Sequence, residues 1–195
     1  MSTATSDPRS ALSGMRAFQL RKAGLRGSYA SADCELGRRV LALCRSGRGA
    51  YLWGEPGRGK TYAAACAVRL WLMRSSPAGC PARLVTAAGL LAEARAALGD
   101  RAAFDAVSHA STVPLLCVDD LGAERPTDWA VETLSRIVDA RVSAGLPTVV
   151  TSNLGVGALR DLWGGAAGKR LASRLAGACE RIEVGGEDRR VHGQG

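Results

Sequence analysis

The fold is decided by GEPGRGKT, Gly54–Thr61, which directly follows the apolar run AYLW at 50–53 and opens a helical pattern. This stretch fits Gly-x-x-x-x-Gly-Lys-Thr in the strand, loop and helix context of a phosphate-binding loop. Its glycines let the backbone curl so that N–H groups point at phosphate oxygens, an approach that side chains would block. The stretch therefore predicts a P-loop fold that binds a phosphorylated ligand.

The residues at the end of this loop suit a nucleoside triphosphate with its magnesium ion. Lys60 can reach the β- and γ-phosphates, and Thr61 can supply a hydroxyl ligand to Mg²⁺. The N-terminus of the following helix adds a favourable field for an anion. The predicted nucleotide-binding residues of the loop are Gly54, Glu55, Pro56, Gly57, Arg58, Gly59, Lys60 and Thr61.

Around this loop, short apolar runs alternate with longer helical patterns, which is typical of parallel strands joined by helices. The candidate strands are AYLW, ARLVT, LLCV, TVVT and RIEV. The spacing predicts helices at 34–44, with Asp33 as N-cap, and at 61–73, 88–98, 101–109, 127–144, 156–163 and 169–178. We therefore predict an α/β fold of three layers, with a parallel five-stranded sheet covered by helices on both faces.

The length of 195 residues suits one well-buried domain. Residues 1–28 lack sustained periodicity and are predicted to form an N-terminal arm that is partly disordered. Residues 29–195 are predicted to form the single ATPase domain.

Two carboxylates follow the buried strand in LLCVDDLG, Leu115–Gly122. A parallel strand delivers its carboxyl end to the ligand crevice, so Asp119 and Asp120 are expected beside the nucleotide. Asp119 is the natural carboxylate to hold the Mg²⁺ shell. Asp120 is the candidate to orient or deprotonate an attacking water. A plain loop start is the alternative, which the pairing with the phosphate-binding loop disfavours.

Two further candidates are less specific. Asn153, at the end of TVVTSN, can bridge a γ-phosphate and the water from a neighbouring strand tip, or it can merely cap the next helix. Arg170 and Arg174 are four residues apart and share a helix face. Either can act as an arginine finger toward an adjacent subunit, although spacing alone favours a solvated basic face.

Composition narrows the partners and the compartment. With 26 basic and 18 acidic residues, the net charge of +8 favours polyanions such as nucleic acid, or it reflects an arginine-rich genome. The six cysteines form no CxxC pair, which makes zinc unexpected and indicates reduced thiols that mostly fill the core. No apolar run is long enough to span a bilayer and no secretory signal is visible, so we expect a cytoplasmic protein without a membrane partner.

Taken together, four stretches resemble the AAA+ module of bacterial helicase loaders of the DnaC/DnaI type and, equally, the IstB transposition-helper ATPases. The stretches are GEPGRGKT, LLCVDDLGAERPTDW, LPTVVTSNL and RLASRLAGACERIEVGGEDRR. The resemblance covers about residues 25–190 and implies the sheet order five-one-four-three-two, with ARLVT as the additional strand between the Walker A and Walker B strands.

This resemblance implies a role for each motif residue. Lys60 and Thr61 match Walker A, and Asp119 and Asp120 match Walker B. The remaining matches are Asn153 as sensor one, Arg174 as the arginine finger and Arg189 as a frequently basic position near the family's C-terminus.

The sequence also departs from the family. Asp120 stands where many AAA+ proteins carry glutamate, so hydrolysis is expected to be slow. The helical lid is expected to be reduced or absent, and the N-terminal region is too short for the usual partner-binding domain, which leaves the partner open.

The function implied by the resemblance is an ATP- and Mg²⁺-dependent, DNA-associated helper of a replicative helicase or a transposase. ATP is expected to drive homo-oligomerisation, with Arg174 of one subunit completing the site of the next. The assembly would hold single- or double-stranded DNA, with Arg95 and Arg101 as DNA-contact candidates or simply solvated helix charges. A small P-loop kinase and a non-hydrolysing nucleotide switch are the alternatives.

Overall fold

The fold was examined in a computed structural model, which describes residues 8–75, 80–96, 101–124 and 126–186. Within these residues one parallel sheet has five strands, in the order β2-β3-β4-β1-β5. The strands are β1 Gly49–Trp53, β2 Ala82–Thr86, β3 Leu115–Asp119, β4 Thr148–Ser152 and β5 Cys179–Glu183. The order implied by the family resemblance is therefore confirmed.

Helices connect the strands and cover both faces of the sheet. In the described ranges they are α1 Pro8–Lys22, α2 Glu35–Arg45, α3 Lys60–Met73, α4 Ala87–Ala96, α5 Arg101–Thr112, α6 Asp128–Ser143, α7 Val156–Trp163 and α8 Gly165–Ala178. A short 3₁₀ helix lies at Gly27–Ser31. The predicted α/β architecture of three layers is confirmed.

Successive side chains of a strand point to opposite faces of the sheet, so the core has two halves, one on each face. Ala50 and Leu52 of β1 point into the half that contains α2 and α3, whereas Tyr51 between them packs in the half that contains α6 and α8. Since both faces are covered, the central strands are largely apolar, as expected for a parallel sheet, and the buried polar exceptions in β4 are Thr148, Thr151 and Ser152. The six cysteines are free thiols, and four of them are buried.

The N-terminal segment contains an element that was not predicted, because residues 8–22 form a helix of 15 residues. Arg16 of α1 donates hydrogen bonds to the carbonyls of Leu72 and Ser75, at the C-terminus of α3. Leu84 N of the edge strand β2 donates to Ala23 O over 2.7 Å. Tertiary contacts thus stabilise a segment whose own periodicity is weak. The domain boundary at residue 28 stays a prediction.

The predicted N-cap of α2 was wrong by one residue. Cys34 is the N-cap, and its Sγ accepts a hydrogen bond from Gly37 N. The Asp33 carboxylate accepts from Arg38 instead, over 2.8 Å, because the helix begins one residue later than its pattern indicates. α8 begins four residues earlier than predicted, directly after the turn at Gly164. None of the described helices has the length and apolar character needed to cross a membrane.

Candidate functional site

A cleft of about 1070 Å³ lies at the carboxyl ends of the strands. This edge is where ligands bind in open α/β sheets. The cleft brings together the phosphate-binding loop, both predicted Walker B carboxylates and the predicted sensor. Its polar lining includes Lys60, Thr61, Asp119, Asp120, Thr151 and Asn153.

All three glycines of the loop occupy conformations that other residues adopt only with strain, and Gly57 has a φ of 80°. Gly59 is the N-cap of α3, with φ of 84° and ψ of 17° in the left-handed region. Gly54 has a φ of 141°, and a Cβ atom there would lie 2.6 Å from Val184 O. The loop can therefore curl tightly between β1 and α3 only because these positions carry no side chain.

Lys60 is held in the cleft by oxygen atoms from two strand ends. Its Nζ donates to Gly54 O and Glu55 O, both over 2.7 Å, and to Asn153 Oδ1 over 2.9 Å. The side chain is largely buried, with 7% of its surface exposed. Lys60 and Asn153 are 93 positions apart in sequence, and the fold brings them into direct contact.

Asp119 lies at the end of β3 and contacts the predicted magnesium ligand from the loop. Its Oδ1 accepts hydrogen bonds from Thr61 Oγ1 over 2.8 Å and from Thr151 Oγ1 over 2.6 Å. Hydroxyl and carboxylate oxygens suit Mg²⁺, which keeps several waters and phosphate oxygens in its shell and needs few protein ligands. The described residues contain no group of three or more acidic, histidine or cysteine side chains that would hold a metal alone. The donor set therefore fits a nucleotide-bound Mg²⁺.

Asp120 has an unusual backbone for a non-glycine residue, with φ of 57°. Asp120 N donates to Thr151 Oγ1 over 2.9 Å, and Asn153 Nδ2 lies 3.4 Å from Asp120 Oδ1. The N-cap of α7 is Gly155, with no side-chain cap. The interpretation of Asn153 as a helix cap is therefore not supported, because its amide contacts Lys60 and Asp120.

Thr151 was missed in the sequence analysis. Its buried hydroxyl contacts the carboxylate of Asp119 and the backbone N–H of Asp120 at once, so it ties the end of β3 to β4 at both residues. A hydroxyl residue near the carboxyl end of a central strand, two positions before Asn153, was the available signal. The β3–β4 register decides which residue of β3 this hydroxyl meets.

Glu124 was also missed. Its carboxylate accepts hydrogen bonds from Gly122 N over 3.0 and 3.2 Å. Burial raises the pKa of Glu124, and the charge of Asp120 raises it further. Glu124 thus shapes the turn after the Walker B strand and adds negative charge near Asp120.

The predicted finger Arg174 and the predicted DNA-contact residue Arg95 are not among the residues that line the cleft. Arg174 pairs with Asp139 on α6, with Nε 2.9 Å from Oδ1. The guanidinium of Arg95 stacks over the ring of Trp129, 4.7 Å from its centroid. The side chain of Arg101 and the whole of Arg189 lie outside the described residues. The DNA-contact role of Arg95 and Arg101 stays a prediction.

Strand order, phosphate-binding loop and Walker B strand together define a P-loop NTPase of the AAA+ class. The family model of the IstB-like ATP binding protein matches residues 38–194. The chain therefore belongs to the IstB-like family of ATP-binding proteins.

Known proteins of this class are similar in sequence and structure. The replicative helicase loader DnaI of Bacillus subtilis (strain 168) is 33% identical over 109 residues, which are 55% of this chain and 33% of that protein. The chain thus corresponds to about a third of the length of that curated relative.

Two crystal structures extend the comparison. A structure of DnaI is 25% identical, with a TM-score of 0.67, and the match covers 85% of this chain and 92% of that one. The DnaC helicase loader has a TM-score of 0.65 at 21% identity, over 82% of this chain and 100% of that one, and supports the fold alone.

Proposed function

We propose that this protein binds and hydrolyses ATP with Mg²⁺, and that ATP-bound copies assemble around DNA to help a replicative helicase or a transposase. The observation that carries the ATPase proposal is the linked set of Lys60, Thr61, Asp119 and Asn153 in one cleft. These residues come from the loop and from the carboxyl ends of two strands.

Each residue has a distinct role in this proposal. The ammonium group of Lys60 exchanges its carbonyl contacts for β- and γ-phosphate oxygens, and loop N–H groups bind the remaining phosphate charge. Thr61 and Asp119 hold Mg²⁺, which when bound neutralises charge on the phosphates. Asp120 accepts a proton from, or orients, the attacking water, and Asn153 holds the γ-phosphate and Asp120 in register.

Assembly is supported by the position of Arg174. It lies on α8 with 52% of its side chain exposed and does not line the cleft of its own subunit. An arginine finger in trans stabilises charge that builds on the transferred phosphoryl group. We therefore assign Arg174 to the nucleotide of a neighbouring copy, which makes turnover depend on oligomerisation.

The DNA and partner roles are proposed from similarity and charge. The relative DnaI is named a replicative helicase loader, and the chain's family model is of the IstB-like type. A net charge of +8 supports association with a polyanion.

The first experiment is steady-state ATP hydrolysis with and without single-stranded DNA, with Lys60→Ala as the blank for contaminating ATPases. We expect slow turnover that DNA raises several-fold. If DNA has no effect while Lys60→Ala remains inactive, the protein is an ATPase without coupled DNA binding. If wild type and blank are equal, the ATPase proposal is wrong.

A non-hydrolysing nucleotide switch is the second candidate, and the short side chain and left-handed backbone of Asp120 favour it. Asp120→Glu separates the two functions. A large gain in turnover indicates a native base that is held out of reach, whereas a loss indicates that Asp120 is already the working base. Arg174→Ala tests the kinase alternative, because a small kinase does not need an arginine from another subunit.

A further inference from the structure

A carboxylate on α6 lies between the two arginines that share one face of α8. Asp139 Oδ1 is 2.9 Å from Arg174 Nε, and Asp139 Oδ2 is 3.7 Å from Arg170 Nε. The Asp139 side chain is 34% exposed, compared with 52% for Arg174. The shorter contact thus joins a partly sheltered anion to a more exposed cation.

The two sides of this contact are held differently. The Oδ1 atom of Asp139 is inaccessible to solvent and has no aligned hydrogen bond, so the contact with Arg174 is an ion pair. α6 and α8 are packed together through buried residues that include Leu134, Ile137, Leu171 and Leu175. The carboxylate therefore occupies a rigid position from which it can orient a flexible side chain.

The contact uses the inner nitrogen of the guanidinium group. The described residues offer no hydrogen bond to either Nη nitrogen of Arg174. Arginine binds phosphate best through its planar edge, with two parallel N–H donors. Because Asp139 anchors Nε, both Nη groups on the outer edge of the guanidinium stay available to bind an oxyanion outside the subunit.

We propose that Asp139 is a positioning residue for Arg174, which it holds with the Nη edge directed toward the γ-phosphate of the ATP in the neighbouring copy. This inference rests on the proposed function, because it needs Arg174 to act in trans. Holding the side chain before assembly reduces the rotamer entropy that is lost when the phosphate is bound. Asp139 itself touches neither ATP nor the attacking water.

The test compares Asp139→Asn, Arg174→Ala and the double variant, with DNA-stimulated turnover measured on the full chain. Arg174→Ala is expected to lower kcat about 1000-fold, within the range for arginine fingers. Asp139→Asn keeps the side-chain size and is expected to lower kcat about 10-fold, the scale of a misaligned catalytic group. KM for ATP stays within about twofold, because another subunit's Lys60 and loop bind the nucleotide.

A matched control is Glu132→Gln, which makes the same chemical change at an exposed site on α6. Its kcat is expected to stay within about twofold of wild type. Asp139→Glu restores the charge and is expected to recover part of the loss. The double variant is expected to match Arg174→Ala, because the carboxylate has nothing to position once the arginine is absent.

The outcomes separate this inference from the proposed function. Unchanged kcat in Arg174→Ala overturns the trans finger, and the role of Asp139 with it. A large loss in Arg174→Ala with wild-type or higher kcat in Asp139→Asn overturns the Asp139 role alone. An additional loss in the double variant also overturns it, because the carboxylate then acts independently of Arg174.

Assembly gives a second measurement that does not need hydrolysis. Sedimentation with a non-hydrolysable ATP analogue is expected to show strong assembly for wild type and Glu132→Gln, weaker assembly for Asp139→Asn and the weakest for Arg174→Ala. If the wild type neither hydrolyses ATP nor assembles with the analogue, both the proposed function and the inference are wrong.

Discussion

The two ends of strand β4 carry buried threonines whose hydroxyls do different work. Thr148, at the amino end, accepts a hydrogen bond from Arg141 Nε over 2.9 Å. Thr151, near the carboxyl end, donates to Asp119 Oδ1 over 2.6 Å. Both residues are buried in the same strand. They differ in the polar cluster around the hydroxyl, which is closed at Thr148 and borders the ligand cleft at Thr151.

The closed end is organised by Arg141, which has none of its side chain exposed. Its nitrogens also donate to Ala110 O, Val113 O and Pro147 O over 2.7 to 2.9 Å. Burial lowers the pKa of Arg141 to about 10, which leaves the guanidinium charged at neutral pH. It therefore ties α5, α6 and the starts of β3 and β4 together without a ligand.

At the open, carboxyl end of β4, oxygen atoms also surround a buried cation, Lys60, but here they line a cleft. The carbonyl oxygens of Gly54 and Glu55 accept hydrogen bonds from Lys60, and phosphate oxygens can replace them. A buried cation surrounded by backbone carbonyls thus indicates a structural role when no cavity adjoins it, and a binding site when the carbonyls border a cavity.

The largest expected effect is at the closed end. Arg141→Ala leaves three buried carbonyls without their donor, and we expect it to lower the free energy of unfolding by about 3 to 5 kcal/mol. Chemical denaturation measures the change. Arg136→Ala, at an exposed position on the same helix, is expected to change it by less than about 0.5 kcal/mol. If Arg141→Ala were as stable as the wild type, water would have replaced the guanidinium as the donor to these carbonyls.

The second largest effect is expected at the open end of β4, where ATP binds in the proposed function. Lys60→Ala removes the charge that faces the phosphates, and we expect ATP affinity to fall at least about 100-fold. Titration with a fluorescent ATP analogue measures it. Lys22→Ala, at an exposed position on α1, serves as the control for loss of a lysine charge. Equal affinities for the two variants would contradict the assignment of the cleft.

The comparison itself is tested by changing one hydroxyl at each end of β4. Thr151→Val and Thr148→Val are each expected to cost about 1 to 3 kcal/mol of stability, because each leaves a buried partner unsatisfied. Only Thr151→Val is expected to lower turnover, by about 10-fold, and to raise the Mg²⁺ concentration required, since Asp119 and Asp120 lose a shared support. Equal effects on turnover would remove the distinction between the ends.

The smallest effect is expected at His109 on α5, near the closed end. Burial lowers the pKa of His109, and the charges of Arg83 and Lys22 lower it further. Protonation therefore costs more in the folded state, so stability declines as the pH falls through the unfolded value of about 6.5 toward the lower folded value. The difference in unfolding midpoint between wild type and His109→Gln, measured from pH 7.5 to 5, isolates this contribution. A constant difference would contradict it.

Much of the fold could be predicted from the chain. ARLVT is strand β2 as predicted, and the helix predicted at 127–144 is α6 with Thr127 as its N-cap. α1 could not be predicted, because its first turn has no acidic residue and contacts with α3 and β2 stabilise it. Arg141 looks like a favourable basic residue at a helix end, and nothing nearby in sequence indicates that it is buried.

The candidate site divides in the same way. Lys60, Thr61, Asp119 and Asn153 were predicted and are brought together, because each lies at or beyond the carboxyl end of a strand and these ends share one edge of the sheet. Thr151 and Glu124 were not predicted. Their contacts depend on strand register and on burial, which a residue's type does not reveal.

The sequence by itself determined the phosphate-binding loop and the alternation of strands and helices, because both follow from local backbone geometry and from the period of apolar residues. Only the tertiary structure decided that Thr151 supports both carboxylates, that Arg141 seals the opposite end and that Asp139 pairs with Arg174. These contacts join residues that are 31 to 35 positions apart along the chain, and they form only where helices and strands pack, so no local pattern encodes them.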